Sequence, residues 1–241
     1  MQRLATLSAT LCLCIVAPAT SLAQPPVYLR VSPELGLVNV EHTKVLTDAS
    51  GSSSNTATSV GPDFVVSLSI GYFGEHSNNW VSGGELQFAI SSRQSISGSM
   101  PATGTGPAAV GAGTWDYSNR VGAGANLFFG RDLTRRKMRG YVLAGFKRWT
   151  TEASSRALHP DLGEFSDRNV GVRWPWSVGV GVTLLRERRL DFRLRYFRSA
   201  TDWSVTRPLD PETEDPNPEM LTWDYKFSGS GIALQVGFGT G

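Results

Sequence analysis

The chain has 241 residues, of which 40% are hydrophobic and 18% charged, with 26 glycines and 13 prolines. A formal net charge of +2 gives no acidic or basic excess that would point to nucleic acid. Mean hydropathy is −0.16, and both cysteines (Cys12 and Cys14) lie at the N-terminus, with no later run approaching the ~18 apolar residues of a membrane helix; this excludes a helical membrane protein, a disulfide scaffold and a cysteine-ligated metal site in the rest of the chain.

Residues 1–23 read as a secretory signal peptide. Arg3 supplies the positive start, 4–17 is apolar, Pro18 breaks the run, and Ser21-Leu22-Ala23 offers the small-x-small cleavage pattern. Leu11 and Leu13 precede the two cysteines where an acylated cysteine needs a small residue, so ordinary cleavage is expected. The mature chain, 24–241, then has no thiol chemistry.

From there the period is two, the mark of strands. Over 26–46, Val27, Leu29, Val31, Leu35 and Leu37 oppose Arg30, Ser32 and Glu34. Over 61–74, Phe64, Val66, Leu68, Ile70 and Tyr72 alternate with serines and glycine. Over 81–98, Leu86, Phe88 and Ile90 oppose Glu85 and Gln87. Over 114–131, Trp115, Tyr117, Val121, Ala123, Ala125, Leu127 and Phe129 share one parity. The strand at 138–153 has no clear parity. Over 169–185, every even position from Val170 to Leu184 is apolar. Over 190–207, Leu190, Phe192, Leu194 and Tyr196 oppose Asp191, Arg193 and Arg195. The last strand, 221–239, changes parity between Phe227 and Ile232, and a β-bulge across Gly229-Ser230-Gly231 would account for it.

Connection lengths sort by parity. The first, third, fifth and seventh (47–60, 99–113, 154–168 and 208–220) are long, whereas 75–80, 132–137 and 186–189 are short. A barrel inserted from one side has this asymmetry, with tight periplasmic turns and long external loops. The expected fold is all-β: an eight-stranded antiparallel up-and-down transmembrane β-barrel with both termini at the periplasmic side. The apolar stripe then faces lipid and the Gly- and Ser-rich stripe faces the lumen. The inverse, a soluble lipocalin-like barrel with the apolar stripe inside, is the competing reading. Trp115, Trp149, Trp174, Trp176, Trp203 and Trp223 fall toward the loop-bearing strand ends and suit an aromatic girdle, with Trp80 at the opposite end.

With these features the chain resembles the small outer-membrane β-barrel superfamily typified by OmpX, OmpW and the barrel domain of OmpA. The resemblance implies an assembly signal in the last strand, carried by Ile232, Leu234, Val236 and Phe238, and a passing partner in the barrel-assembly machinery. The chain departs by continuing Gly239-Thr240-Gly241 beyond the aromatic residue. No peptidoglycan-binding domain is expected after the barrel. The remaining expected partners are outer-membrane lipids and lipopolysaccharide, without nucleic acid, and the protein is expected to be a monomer.

Inward polar stripes would bring Glu34, Glu85, Asp116 and Asp191 together with Arg30, Arg93, Arg120, Arg173, Arg193 and Arg195. In a narrow lumen such charges must pair, and arginine suits this because its fork binds two carboxylate oxygens. A salt-bridge plug is expected, with a gate or narrow pore as the alternative.

No catalytic site, cofactor or metal centre is expected. The nearest approach to the histidine–serine spacing of lipid A deacylases is Glu75-His76-Ser77-Asn78-Asn79, where spacing and location are both wrong. A lipid A-modifying enzyme therefore stays a minor alternative. The acidic, proline-rich 208–219 stretch reads as a mobile external loop, and the basic turns Arg131, Arg135, Arg136, Lys137, Arg139 and Arg186, Arg188, Arg189 as neighbours of periplasmic headgroups.

Overall fold

The computed structural model describes residues 27–48, 51–92, 94–103, 111–133, 137–159, 163–184, 189–208 and 220–240. The signal segment, Arg93, and nearly all of the 208–219 stretch lie outside the described residues, as do Arg135, Arg136, Arg186 and Arg188.

Ten strands form one sheet: β1 (Val27–Asp48), β2 (Gly51–Glu75), β3 (Trp80–Ser91), β4 (Ile96–Met100), β5 (Gly113–Leu133), β6 (Met138–His159), β7 (Gly163–Arg173), β8 (Trp176–Leu184), β9 (Arg189–Pro208) and β10 (Met220–Thr240). Both β3 and β4 pair with β5, and both β7 and β8 pair with β6. Each of these couples is one stave interrupted once, so the ring has eight staves. It closes because β1 pairs with β10, joining the first stave to the last, and because β5 pairs with β6, joining the two ends of the strand order. All pairings are antiparallel and, apart from the closing pair of β1 with β10, join staves that are neighbours in sequence, which is the up-and-down barrel expected from the alternation.

Two of the expected long loops are not loops. The register of β1 with β2 runs without a break from Val27↔Tyr72 to Asp48↔Gly51. Residues 47–60 are therefore mostly ladder, closed by Asp48 Oδ1 accepting from the Gly51 N–H at 2.8 Å. Likewise 154–168 is largely paired strand, His159↔Gly163 being its last rung. The wall thus continues as a barrel well past the membrane-facing part.

The solvent changes along that wall. On the lower half of β1 the outer residues are apolar, with Leu35 and Leu37 exposed at 59% and 63%, while Arg30 and Glu34 are buried inside. Above Leu37 the pattern inverts. Asn39, Glu41 and Thr47 face out, while Val38 and Val40 face in at 2% and 0% exposure. The same inversion occurs on β9, where Leu194 faces out below and Phe197 and Trp203 turn inward above. An apolar exterior with a polar lumen suits lipid, and a polar exterior with an apolar interior suits water. Val27 to Leu37, at ~3.3 Å per residue and a tilt near 40°, rises about 25 Å, the height of a bilayer-facing band. The exposed apolar band rules out the soluble lipocalin-like arrangement for the lower half.

This inversion corrects two expectations. β10 has no bulge at Gly229-Ser230-Gly231, since its register with β1 is continuous through Asn39↔Ser230. Phe227 and Ile232 differ in parity because one faces the watery half's core and the other faces lipid. The irregularity lies instead in β5, between Asn119 and Gly122. There Trp115 and Tyr117 face inward and Val121 outward. Keeping apolar residues on one sequence parity across the solvent change requires one extra residue. The fifth stave, without parity in the sequence, is regular: Arg139, Tyr141, Lys147 and Trp149 are its inner face.

Inward glycines seat large side chains. A Cβ on Gly71 would lie 2.4 Å from the Tyr28 ring, and one on Gly181 would lie 2.4 Å from Tyr141. Each glycine sits directly opposite its tyrosine in the ladder, at Tyr28↔Gly71 and Tyr141↔Gly181. The missing side chain lets each ring lie across the neighbouring strand into the lumen.

Candidate functional site: the lumen and its outer wall

The lower lumen is crossed by one connected network. Tyr28 and Arg30 come from β1, Glu85 from β3, Asn126 from β5, Tyr141 from β6, Thr183 from β8, and Asp191 and Arg193 from β9. Strand alternation points each inward, and barrel closure makes them converge. Glu85 accepts hydrogen bonds from Tyr28 (2.9 Å), Asn126 (3.0 Å), both terminal nitrogens of Arg193 (2.9 and 3.1 Å) and Arg30. Asp191 accepts from Arg30, Tyr141, Thr183 (2.9 Å) and Arg193 Nε (2.7 Å). Arg193 also lies over the Phe128 ring at 4.7 Å. Two arginines and two carboxylates balance, and all four are buried. Nearer the mouth that carries the short turns, Arg139 grips Asp132 through two nitrogens (2.6 and 2.8 Å) and reaches Glu75 at 3.3 Å.

Above this layer, Glu34 meets Arg195 at 3.3 Å and Lys147 at 3.7 Å. Gln87 and Gln235 both donate to Ser67 Oγ, at 2.8 and 3.0 Å. Higher still, Arg173 is held by Thr151, Ser199 and Asn119. The watery half is filled with aromatic rings. His42 stacks on Phe227 at 4.0 Å, and Trp203 stacks on Tyr225 and Phe227 at 5.0 and 5.5 Å. Trp115 packs edge-on to Phe227. At the rim, Asp167 accepts from both Arg207 and Tyr225.

The expected charge network is therefore met by Arg30, Glu34, Glu85, Asp191, Arg193 and Arg195. Arg173 is inside but above that network, with hydrogen bonds to neutral side chains and Asp63 as its nearby carboxylate. Asp116 and Arg120 are not in the lumen. Asp116 faces outward and accepts from Ser97 Oγ at 2.5 Å. Arg120 pairs on the outer wall with Glu152, which also binds Arg168. The bulge in β5 causes both departures, because it places upper and lower halves of that strand on opposite parities. Tyr28, Asn126, Tyr141, Lys147 and Thr183 belong to the lumen beyond the expected charge network. The positions of Tyr28, Asn126 and Thr183 on the even or odd lumen faces could have revealed them, whereas Tyr141 and Lys147 lay on the stave without visible parity.

The tryptophan girdle is also corrected. Trp174 and Trp176 do face outward, at 60% and 48% exposure. Trp115, Trp149 and Trp223 are buried inside, and Trp203 is half-buried against the plug. Trp115, Trp203 and Trp223 serve the core of the watery half and Trp149 packs lower on Val65 and Ala89, inward positions that sequence alternation alone cannot distinguish from a lipid-facing belt. Of the residues of the expected assembly signal, Ile232, Leu234 and Phe238 are exposed on the lipid-facing side, with Val236 half-buried beside them.

No family model matches the chain, and no curated protein matches it in sequence. Among solved structures it is similar to the outer membrane protease OmpT from Escherichia coli, at 12% identity over 90% of this chain and 99% of that one, with a TM-score of 0.43. It is also similar to Neisserial surface protein A, NspA (13%, 84% and 96%, TM-score 0.28), and to Ail, the attachment invasion locus protein of Yersinia pestis (11%, 83% and 97%, TM-score 0.26). The fold is that of an outer-membrane β-barrel. Its ring, lipid-facing band and polar lumen carry that statement.

The histidine stretch lies in the turn between β2 and β3. Asn78 and Asn79 take left-handed backbone (φ 61° and 63°), which asparagine tolerates. His76 Nε2 lies 2.7 Å from Ser82 Oγ, rather than engaging Ser77.

His42 is the titratable group most affected by the aromatic plug. Burial pushes its pKa down to about 4, against a 3.3 Å contact from Nδ1 to the Lys226 carbonyl. The nearby Lys44 is lowered to about 8, also by burial, with Asp167 opposing. Burial raises the Tyr225 phenol, and its hydrogen bond to Asp167 adds to this. The folded state thus holds His42 neutral where the unfolded chain protonates it. As pH falls from the ordinary value of 6.5 toward 4, the unfolded state takes up a proton and stability is lost. His42→Phe is expected to flatten the fall in the urea midpoint between pH 6.5 and 5, before most carboxylates titrate. An unchanged slope would refute a neutral buried imidazole.

Proposed function

We propose that this protein is a non-conducting, non-enzymatic outer-membrane barrel that carries a rigid water-exposed wall for contact at the cell surface. The observation that carries the reading is the double closure of the lumen. Glu85 and Asp191 bind Arg30 and Arg193 across its lower part, and stacked rings around Phe227 fill its upper part. A lumen built this way supports anchoring better than transport. The outer wall, with Asn39, Glu41, Thr56 and Thr58 on display, is the surface left for contact. Signal cleavage after residue 23 and delivery by the barrel-assembly machinery belong to this reading.

Outer-leaflet lipids are the first partner. Arg198 pairs across the ladder with Trp176, and Arg148 follows Phe146, which packs on Trp174 at 6.0 Å. Both arginines are exposed on the outer face. Guanidinium groups beside interfacial tryptophans suit the phosphates of lipopolysaccharide.

Planar bilayers test the closed lumen. The reconstituted protein is expected to give no unitary steps, and steps of constant size would overturn the reading in favour of a narrow pore. Loss of lipid A acyl chains that depends on His76 would overturn the non-enzymatic part.

A further inference from the structure

Between the ion-paired layer and the aromatic plug lies a cavity of about 30 Å³. Its charged lining is Glu34, Asp63, Lys147, Arg173 and Arg195. The layer beneath is balanced, with Arg30 and Arg193 set against Glu85 and Asp191. The cavity is not: three cations face two carboxylates, a surplus of one positive charge among the described residues.

The pairing leaves that surplus at the cavity. Glu34 is shared, since Arg195 and Lys147 both approach its Oε2, at 3.3 and 3.7 Å. Asp63 is engaged by neutral groups, accepting from Ser91 at 2.9 Å and Asn119 at 3.0 Å. Arg173, 3% exposed, has only neutral hydrogen-bond partners: Thr151, Ser199 and Asn119, each at 2.7 Å. It also lies over the Tyr117 ring at 4.5 Å and feels the attraction of Asp63 without an ion-pair contact to it. Arg195, also 3% exposed, keeps Nε buried without a hydrogen-bond partner. A surplus charge and a residue with an unused donor thus line one space. Burying an uncompensated cation in a low-dielectric wall is costly, and a space of this size admits a water or a small ion.

We propose that this cavity binds a small monovalent anion, chloride by size and charge, which completes the electrostatic balance of the lumen. Lys147 and Arg195 supply its attraction, Arg173 sets the positive field from above, and Glu34 limits affinity.

The test uses the full barrel folded in detergent, dialysed into sodium gluconate and titrated with sodium chloride at constant ionic strength. Gluconate is too large for the cavity and controls for screening. Chloride is expected to raise the unfolding temperature saturably and to broaden its own NMR line. Lys147→Met cancels the surplus and is expected to weaken chloride binding about tenfold or more, whereas Glu34→Gln doubles the surplus and is expected to tighten it about tenfold. If Glu34→Gln fails to fold, Asp63→Asn carries the same sign, and if Lys147→Met fails, Lys147→Gln removes the same charge. Equal responses to chloride and gluconate in the wild type would overturn the proposal, as would the same affinity in the charge-lowering and charge-raising variants. A lumen balanced by a neutral Lys147 amine gives the first of those results.

Discussion

Replacing Glu85 with alanine is expected to lower the stability of the folded barrel by roughly 3–5 kcal/mol, the cost of leaving buried charges without their partner. Glu85 is the acceptor for Tyr28, Asn126, Arg30 and Arg193 at once. Its loss strands two buried guanidiniums against the single carboxylate of Asp191. The measurement is the urea midpoint in detergent, read as the fraction of heat-modifiable barrel on a gel. The double variant Glu85→Leu with Arg193→Leu is the informative control. It removes charge in a balanced pair and should recover part of the loss, because the penalty belongs to the unpaired charge rather than to the missing bond. A single variant as stable as the wild type would mean that water reaches this layer and screens it.

The second large effect depends on height along the wall. Leu234 lies in the middle of the lipid-facing side of β10, opposite Leu35 and Leu194 in the ladders. Leu234→Arg is expected to cost about 2–4 kcal/mol in a bilayer. Thr43→Arg sits on the outer side of β1 above the inversion, opposite Thr56 and Lys226, and should change stability by less than about 0.5 kcal/mol. The pair is compared by reversible unfolding from lipid vesicles. Equal costs at the two positions would show that both heights meet the same solvent and would remove the polarity inversion.

Part of the lumen is legible in residue order alone. Arg30, Glu34, Glu85, Asp191, Arg193 and Arg195 all alternate against apolar neighbours, and alternation places them on one side of their strands. Asp116 and Arg120 were misplaced for a local reason: the extra residue between Asn119 and Gly122 leaves no mark in composition, since Tyr117 and Val121 keep the same parity on either side of it. The tryptophans failed for a different reason. Trp115 and Trp223 are as apolar as Trp174 and Trp176, and nothing local tells a ring that faces lipid from one that faces a dry core. Height decides it, and height depends on how the staves are staggered around the ring. The cavity between Glu34 and Arg173 is further from sequence still, because its lining converges from strands far apart in the chain.

The sequence by itself determined the all-β class, the eight staves and most of the membrane-facing stripes, because a two-residue period and a lipid-facing apolar face leave their record in residue order. Only the tertiary structure decided which solvent each stretch of wall meets. Closing the ring lifts the upper halves of β1, β9 and β10 out of the bilayer, and in water the same hydrophobic effect that turned Leu234 and Ile232 outward turns Phe227 and Val40 in. The modest mean hydropathy of the chain and its many glycines take their meaning from that arrangement: two opposite patterns average toward neutrality, and glycines such as Gly71 and Gly181 are the seats on which the lumen's tyrosines rest.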